Sequence, residues 1–456
     1  MIRQIPRILI GAAGSGSGKT TITCAILEAL RERGRKPTSL KCGPDYIDTM
    51  FHASVLGMPS TNLDLYFFDD NTARYLLKEN AEQGDLAVIE GVMGYYDGLG
   101  IDSTEASSYH VAMVTDTPVI LIVNAQGAAL SVMATIKGFR EFRPDSGIRG
   151  VILNNCTEST YGVLKEVMET EFGGEIRPLG FMPRMKDCSI ESRHLGLVTA
   201  AEIEDLNDKL LRLKEQAMKS LDLEGIEEIA ASAEDLTYEE PEIRTLEGLV
   251  SPLKIGVARD RAFCFYYEDS LKLLTRMGAE LVDFSPLEDE KLPEGLSGLY
   301  LGGGYPELYC EILSGNTSMR KSIKEAVQGG LPTIAECGGF MYLTEAIGDH
   351  PMAGVLPGKC SDQSKLMRFG YVKIKANKDN MLMREGHEIS AHEFHHWDCT
   401  DNGSDFTATK RNGRTWQAAV AGDSLYAGFP HFNFWTDPEM ARNYLEACRK
   451  YEEGKS

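Results

Sequence analysis

A cysteine at a predicted turn is the feature of this chain that most directly suggests chemistry. The run LPTIAECGGFMYL (residues 331–343) is apolar and β-prone up to Cys337, continues with Gly338 and Gly339, and becomes helix-like from Phe340. A strand–turn–helix elbow of this kind exposes a nucleophile beside free backbone N–H groups. Those groups, including the Gly338 N–H, can stabilise an oxyanion. The elbow therefore predicts Cys337 as a nucleophile.

A nucleophilic cysteine needs a base, and three histidines compete for that role. His431 lies in YAGFPHFNFW near the C-terminus, whereas His392 and His395 lie in AHEFHHWD. The spacing of HEFHH differs from the H-E-x-x-H zinc pattern and no C-x-x-C pair accompanies it, which disfavours zinc. An upstream glycine loop, LGGGYPE, offers a further oxyanion N–H through Gly303 or Gly304.

A second chemical site is predicted near the N-terminus. Residues 13–20, AGSGSGKT, fit the phosphate-binding loop, with Ala13 in the position usually held by glycine. A strand-like run comes before the loop and a helix-like run follows it, so backbone N–H groups and a helix N-terminus can face phosphate. Lys19 is expected to reach the phosphates of ATP, and Thr20 to bind Mg²⁺. The predicted ATP-binding residues are Gly14, Gly16, Ser17, Gly18, Lys19, Thr20 and Thr21.

Acidic side chains after predicted strands could complete this site. Glu90 ends the run DLAVIE and is expected beside the phosphate loop as a second Mg²⁺ anchor. Asp97 follows in the next loop, Asp45 and Asp48 lie in GPDYID, and Asp64 ends NLD. Taken alone, the Asp45–Asp48 pair would more often form a turn or a helix cap than a site.

The elements that must position these residues alternate between strand and helix in two blocks. The runs RILIGAA, DLAVIEGVMG, PVILIVNA and IRGVILNN are almost continuously apolar, as in strands buried on both faces. A second alternation starts at LKIGVARD, after an acidic segment (202–247) that resembles a linker. We predict two α/β domains with mostly parallel sheets, spanning residues 1–245 with the acidic linker at the end, and 246–456.

Charge and composition exclude several classes of protein. The chain has 456 residues and a net charge of −21, which argues against a general nucleic-acid or membrane-surface binder. No apolar run reaches the length of a membrane span. The short apolar run near the N-terminus leads into the phosphate loop and is interpreted as a first strand. Ten cysteines without a C-x-x-C pair predict no disulfide framework and a reduced, cytoplasmic protein.

Across nearly its whole length the chain resembles the cobyrinic acid a,c-diamide synthase family. The resemblance is carried by SGSGKTT, KCGPDYID, NLD, IEGVMGYYDG, ESRHLGLV, ARDRAFCFYY, FSPLED, LYLGGGYPEL, AECGGFMYL and HEFHH. This family joins an ATP-dependent synthetase domain, related to dethiobiotin synthetase, to a C-terminal class I glutamine amidotransferase domain. It amidates the a and c acetate side chains of a corrin ring.

The resemblance implies a role for each candidate residue. Cys337 would be the glutaminase nucleophile and His431 its base, with Gly303, Gly304 and Gly338 at the oxyanion hole. The implied Mg²⁺ ligands are Thr20, Glu90, Asp48 and Asp97, and the implied substrate-binding residues are Asp45, Tyr46 and Asp64. ATP and Mg²⁺ are the implied cofactors, and glutamine and a tetrapyrrole polycarboxylate the partners. A homodimer is compatible with this assignment.

Some positions depart from the family pattern. The family commonly has His-x-His-Phe near the C-terminus, whereas this chain has His431-Phe-Asn433-Phe. Class I amidotransferases with a full triad place a Glu at the position of Asn433. Asn433 could hold the imidazole by a hydrogen bond but cannot supply charge. Ala391, the pair His396–Trp397 and the segment STEASSYHVA also differ.

The departures leave the ring substrate open. The same chemistry could act on hydrogenobyrinic acid, nickel-sirohydrochlorin or another tetrapyrrole acid. From a different class, a partitioning-type ATPase switch would share the phosphate loop but would not need the Cys337 elbow.

Overall fold

The computed structural model describes residues 1–188, 200–246, 248–249 and 251–455. These residues form two compact units, Met1–Pro241 and Glu242–Ser456. The ESRHLGLV motif at 191–198 lies outside the described residues.

The first unit is built on a seven-stranded parallel sheet of order β4-β3-β5-β2-β6-β7-β8. Its strands are β1 (Ile2–Arg3), β2 (Arg7–Ala12), β3 (Pro37–Cys42), β4 (Ser60–Leu63), β5 (Leu86–Glu90), β6 (Val119–Asn124), β7 (Ile148–Asn154), β8 (Arg177–Met182) and β9 (Leu236–Thr237). Its helices are α1 (Lys19–Glu32), α2 (Tyr46–Ser54), α3 (Asp70–Ala81), α4 (Ser108–Val114), α5 (Ser131–Glu141), α6 (Glu158–Phe172), α7 (Ala200–Ser220) and α8 (Leu223–Ala231).

The strands at the centre of this sheet are the apolar runs of the sequence. Ile8, Val88, Ile120 and Ile152, one from each of four adjacent strands, are fully buried. Parallel strands place their following loops at one edge of the sheet. The phosphate loop after β2, the GPD loop after β3 and the loop after Glu90 therefore meet at that edge.

The acidic segment predicted to be a linker is folded into the first unit. Helix α7 packs against α1, and Leu206, Leu210 and Leu213 are buried in the same core as α1. Strand β9 pairs with β1 in an antiparallel ribbon. The linker interpretation is therefore corrected for this stretch, because the spacing of the three leucines is helical and the surrounding acidic residues obscured it.

The second unit contains a six-stranded sheet of order β11-β10-β12-β13-β23-β22 and two four-stranded sheets. Its strands are β10 (Leu253–Ala258), β11 (Ala279–Phe284), β12 (Gly298–Leu301), β13 (Thr333–Glu336), β14 (Ala346–Ile347), β15 (His350–Pro351), β16 (Lys359–Asp362), β17 (Arg368–Ala376), β18 (Glu388–His395), β19 (Trp397–Cys399), β20 (Phe406–Thr409), β21 (Thr415–Ala418), β22 (Val420–Ala421) and β23 (Leu425–Gly428). Its helices are α9 (Glu268–Arg276), α10 (Cys310–Gly315), α11 (Thr317–Gln328), α12 (Gly338–Leu343) and α13 (Pro438–Glu453).

The six-stranded sheet is parallel except for the β22–β23 pair. Strands β12, β13 and β23 are neighbours, so the glycine loop after β12, Cys337 after β13 and the segment leading to His431 meet at one edge. The predicted α/β fold with two mostly parallel sheets is confirmed. The two four-stranded sheets between β14 and β21, in which every pair but β14–β16 is antiparallel, were not predicted.

Two neighbouring strands of the second unit also carry a disulfide. Cys360 on β16 and Cys399 on β19 are directly opposite and are bonded. The expectation of fully reduced cysteines fails for this pair, because only the strand register, and no sequence motif, brings the two residues together. The other eight cysteines are free.

Within the described ranges, no helix combines the length and apolar character needed to cross a bilayer.

Candidate active sites

Cys337 lies at a strained elbow between β13 and α12. Its backbone has φ 47° and ψ −101°, and its N–H donates to Gly428 O at 2.7 Å. A non-glycine residue in this region costs roughly 1–3 kcal/mol and persists only where the surroundings hold it. Here the next turn is fixed by a 3.0 Å hydrogen bond from Gly339 N to Gly302 O. The elbow holds the thiol against the end of a helix.

Two backbone N–H groups at the elbow can serve an oxyanion. A Cβ added to Gly338 would lie 3.1 Å from Gly304 N, so the two glycines are in close approach. Neither N–H donates a hydrogen bond within the described part of the chain. Gly303 accepts through its carbonyl from Cys264 N and Phe265 N, and no such approach of its N–H to Gly338 is seen in the described residues. Of the two glycines predicted upstream, Gly304 is therefore better placed to donate.

His431 lies beside Cys337 and shares a proton network with it. Its ring hydrogen-bonds Cys337, and its Nδ1 lies 3.4 Å from Glu336 Oε2. Burial alone lowers the pKa of His431, but the hydrogen bonds to Cys337 and Glu336, together with their charges, raise it to about 10. A Cβ on Gly303 would lie 2.5 Å from His431 Cε1, so the ring requires a glycine there. The site favours the imidazolium form.

His395 is occupied by structural contacts. Its Nδ1 lies 2.6 Å from Trp397 O and its Nε2 3.1 Å from Glu393 Oε2. The ring stacks on Phe429 with a centroid distance of 3.9 Å. Both ring nitrogens are therefore engaged away from Cys337.

His392 positions the backbone of His431. The two residues exchange N–H···O hydrogen bonds, each 2.8 Å long. Burial, followed by the charges of His431 and Lys410, lowers the pKa of His392 to about 3, so its ring is neutral. Its Nδ1 has no hydrogen-bond partner within the described chain. Of the three histidines, His431 is the one that the structure brings to Cys337.

Asn433 does not face the catalytic imidazole. Its Oδ1 accepts from Ser270 Oγ at 3.0 Å and from Trp435 N at 2.9 Å. The acid beside His431 is Glu336, to which the sequence analysis assigns no role. A carboxylate directly before a predicted nucleophile was the available signal.

In the first unit, the phosphate loop depends on glycines at positive φ. Gly16 has φ 74° and Gly18 has φ 90°. A Cβ on Gly18 would lie 2.4 Å from Asn154 Nδ2, which donates to Ser17 O at 2.9 Å. Asn154, at the end of β7, is thus a loop-positioning residue that the sequence interpretation missed.

Lys19 lies across the mouth of this loop. Its ammonium donates to Gly14 O at 3.3 Å and also to Met93 O. Burial, and next the charge of Lys41, lowers the pKa of Lys19 to about 8. A lysine whose charge is poorly compensated is suited to bind an anion such as phosphate.

Behind the loop, two buried carboxylates share one lysine. Glu90 Oε1 accepts from Thr20 Oγ1 at 2.7 Å and from Lys41 Nζ at 2.8 Å. Lys41 Nζ also lies 2.5 Å from Asp48 Oδ2. Burial alone lowers the pKa of Lys41, but the charges of Glu90 and Asp48 outweigh it and raise the pKa above its ordinary value. Lys41 was not predicted, since nothing in KCGPD marks its partners.

The donor set of this cluster fits a hard divalent cation. Glu90 Oε2 and Asp48 Oδ1 are buried and have no hydrogen-bond partner within the described residues. Mg²⁺ prefers oxygen ligands and usually takes one or two carboxylates together with phosphate oxygens and water. No set of three or more His, Cys, Asp or Glu in the described ranges could hold a metal ion by itself. A cation here would share its coordination with phosphate.

The other predicted acids lie at the same edge of the sheet and accept hydrogen bonds from nearby backbone N–H groups. Asp45 caps α2, accepting from Ile47 N at 2.9 Å and Asp48 N at 3.3 Å. Burial, and next the charge of Asp48, raises the pKa of Asp45 to about 6. Asp64 accepts from Tyr66 N at 2.9 Å, and Asp97 from Gly94 N at 2.9 Å.

Tyr46, the first residue of α2, is buried beside this edge, and Thr21 follows Thr20 in the first turn of α1. The structure therefore brings the phosphate loop, Glu90 and Asp48 into one cluster. Asp45, Tyr46, Asp64 and Asp97 lie on neighbouring loops.

Two family descriptions match the two units. Residues 8–198 match the CobQ/CobB/MinD/ParA nucleotide binding domain, and residues 254–438 match the CobB/CobQ-like glutamine amidotransferase domain. The cobyrinate a,c-diamide synthase of Caldanaerobacter subterraneus subsp. tengcongensis is 39% identical over 97% of this chain and 98% of its own length. That of Clostridium tetani is 40% identical over 96% and 99%, and that of Thermoplasma volcanium 37% over 98% of each. The chain belongs to the cobyrinate a,c-diamide synthase family, which consists of glutamine amidotransferase ligases.

Proposed function

We propose that this protein uses ATP and glutamine to amidate the a and c acetate carboxylates of cobyrinic acid. The observation that carries the proposal is the presence, in one chain, of the Cys337–His431 elbow and of a phosphate loop backed by Glu90 and Asp48. Full-length identity to relatives named for this reaction supports it. We assign the synthetase part to residues 1–245 and the glutaminase part to 246–456.

The glutaminase half-reaction starts at Cys337. Its thiolate attacks the side-chain amide carbon of glutamine, and the oxyanion forms against the N–H groups of Gly304 and Gly338. His431, held as imidazolium, gives its proton to the departing ammonia. The remaining γ-glutamyl thioester is hydrolysed by water, with His431 then acting as base.

The synthetase half-reaction takes place at the phosphate loop. Lys19 and the loop N–H groups bind the phosphates of ATP, and the γ-phosphoryl group passes to a substrate carboxylate to give an acyl phosphate. Ammonia then displaces phosphate to form the amide. Thr20, Glu90 and Asp48, with Asp97 nearby, would hold Mg²⁺, which neutralises phosphate charge when bound. We place the substrate near Asp45, Tyr46 and Asp64.

The test is an assay with ATP, glutamine and a panel of tetrapyrrole acids, read by mass. We expect two amidations of cobyrinic acid, with one ATP and one glutamine consumed for each. A preference for hydrogenobyrinic acid or nickel-sirohydrochlorin would show that the substrate is a different ring and that the amidation chemistry is the same. No glutamine-dependent product from any ring would contradict the proposal. ATP hydrolysis without glutaminase activity would favour an ATPase switch, whereas glutaminase activity that is lost in Cys337→Ala would exclude one.

A homodimer and a cytoplasmic location remain proposals. Both rest on the resemblance to the family and on the sequence. Light scattering on the purified protein would report the oligomeric state directly.

A further inference from the structure

We propose that Glu336, directly before the nucleophile, orients His431 and supplies its counter-charge. It would replace the acid that class I glutaminases with a full triad carry two residues after the histidine. The inference rests on the glutaminase activity proposed above. Glu336 is a positioning residue in this account, since it acts through His431 and not on glutamine.

The carboxylate of Glu336 is buried and held from several sides. Its side chain is 1% exposed, and Oε2 lies 3.4 Å from His431 Nδ1. Tyr300 Oη donates to Oε2 at 3.2 Å, and Phe432 N donates to Oε1 at 3.3 Å. Neither donor titrates near neutral pH. The Phe432 N–H holds Oε1 and leaves Oε2 toward the imidazole, where the Tyr300 hydroxyl shares that oxygen with His431.

Charge balance points to the same pairing. A buried carboxylate is costly unless a cation or hydrogen bonds compensate it. Across the described residues, His431 is the basic group within ion-pair distance of Glu336. The imidazolium and the carboxylate therefore stabilise each other. This matches the observation that Glu336 contributes, both by hydrogen bond and by charge, to the raised pKa of His431.

The fold explains how a residue before the cysteine can reach the histidine. Glu336 on β13 is directly opposite Gly428 on β23, and the chain continues from Gly428 to His431. The elbow at Cys337, with its φ of 47°, then turns the chain into α12. Glu336 and Cys337 consequently approach the same imidazole from consecutive positions.

Asn433, at the position where class I amidotransferases with a full triad place a Glu, is used elsewhere. Asn433 accepts hydrogen bonds from Ser270 and Trp435. These contacts cap a short helical turn (Phe434–Thr436) and attach it to α9. The family departure at Asn433 is therefore compatible with a complete triad.

The test is the pH profile of glutaminase kcat/KM in Glu336→Gln. Losing the negative charge weakens the imidazolium, so the pKa of His431 falls and the alkaline limb should move to lower pH. We expect activity at the optimum to fall about a hundredfold, the scale of impaired general acid–base catalysis. An unchanged limb would overturn the inference.

Glu393→Gln is the matched control. Glu393 is also a fully buried carboxylate on a histidine, at 3.1 Å from His395 Nε2. Its loss should lower the melting temperature but leave the alkaline limb in place. A limb that moves equally in both variants would mean that general destabilisation, not Glu336, sets the profile.

Tyr300→Phe keeps the inference testable if Glu336→Gln does not fold. Removing the hydroxyl that competes for Oε2 leaves more of the carboxylate's charge to His431, so the limb should move to higher pH. Movement to lower pH would contradict the role. A parent protein without glutaminase activity would instead defeat the proposed function and is recognised before any variant is measured.

Discussion

The two chemical sites compensate buried charge in opposite ways. In the first unit, Lys41 lies between Glu90 and Asp48, so two carboxylates share one lysine, and each keeps an oxygen without a hydrogen bond from the described residues. In the second unit, the basic group within ion-pair distance of Glu336, among the residues that the structure describes, is His431. An excess of buried negative charge suits a further cation, whereas a one-to-one pair suits proton transfer. The same residue types can therefore serve metal and phosphate chemistry or acid–base chemistry, depending on how their charges are balanced.

The strongest separation of the two sites should come from Cys337→Ser. Glutamine-dependent amidation should fall to background, because serine at this elbow is a far weaker nucleophile. Synthesis from high ammonia should be spared, since the phosphate loop lies in the other unit. The measurement is amide product with each nitrogen source. If the variant keeps glutaminase activity, Cys337 is not the nucleophile.

Lys41→Met should break the balance of the first cluster. It leaves two buried carboxylates without their lysine, which costs about 3–5 kcal/mol of the unfolding free energy. Added Mg²⁺ should raise the free energy of unfolding more in this variant than in the parent, because the cation can replace the lost charge. Chemical denaturation with and without Mg²⁺ measures both effects.

The control for that substitution is Lys137→Met. Lys137 pairs with Glu141 on an exposed helical face, and such pairs contribute about 0.3–0.5 kcal/mol. A loss as small for Lys41 as for Lys137 would show that the buried cluster does not hold the ionised charges assigned to it.

Asn433→Glu sharpens the contrast within the second unit. If Asn433 oriented His431, a carboxylate there would preserve or raise glutaminase activity. Because its Oδ1 accepts from Ser270 and Trp435, we expect a loss instead, on the order of tenfold, and a lower melting temperature from burying an extra charge. Increased activity would reassign the orienting position to Asn433.

The smallest effect concerns the pH dependence of ATP binding. The pKa of Lys19 is lowered to about 8 by burial and by Lys41, so its charge is present below that pH and is lost above it. Nucleotide affinity should therefore fall above about pH 8, by up to about tenfold per pH unit, the limit for one coupled proton. Calorimetry measures it. Lys19→Arg, which stays charged, should flatten the profile, and a parent profile that is already flat would contradict the role of Lys19.

The sequence predicted those parts of the molecule in which local pattern and structure coincide. The α/β fold, the strand before Cys337 and the phosphate loop all follow from contiguous residues. Glu336 and Lys41 could not be assigned, because their partners come from distant strands and loops. Asn154 supports the phosphate loop from another strand, and the Cys360–Cys399 bond depends on strand register. Such pairings are tertiary, and a single sequence does not encode them as a motif.

The central claim is that one chain links a glutaminase to an ATP-dependent amide ligase. Its most direct test uses glutamine labelled with ¹⁵N in the amide, together with unlabelled ammonium, ATP and cobyrinic acid. The parent protein should give a diamide that carries ¹⁵N at both new amides, and Cys337→Ser should give only unlabelled amides. Product that takes its nitrogen from free ammonium in the parent, or labelled product from Cys337→Ser, would contradict it.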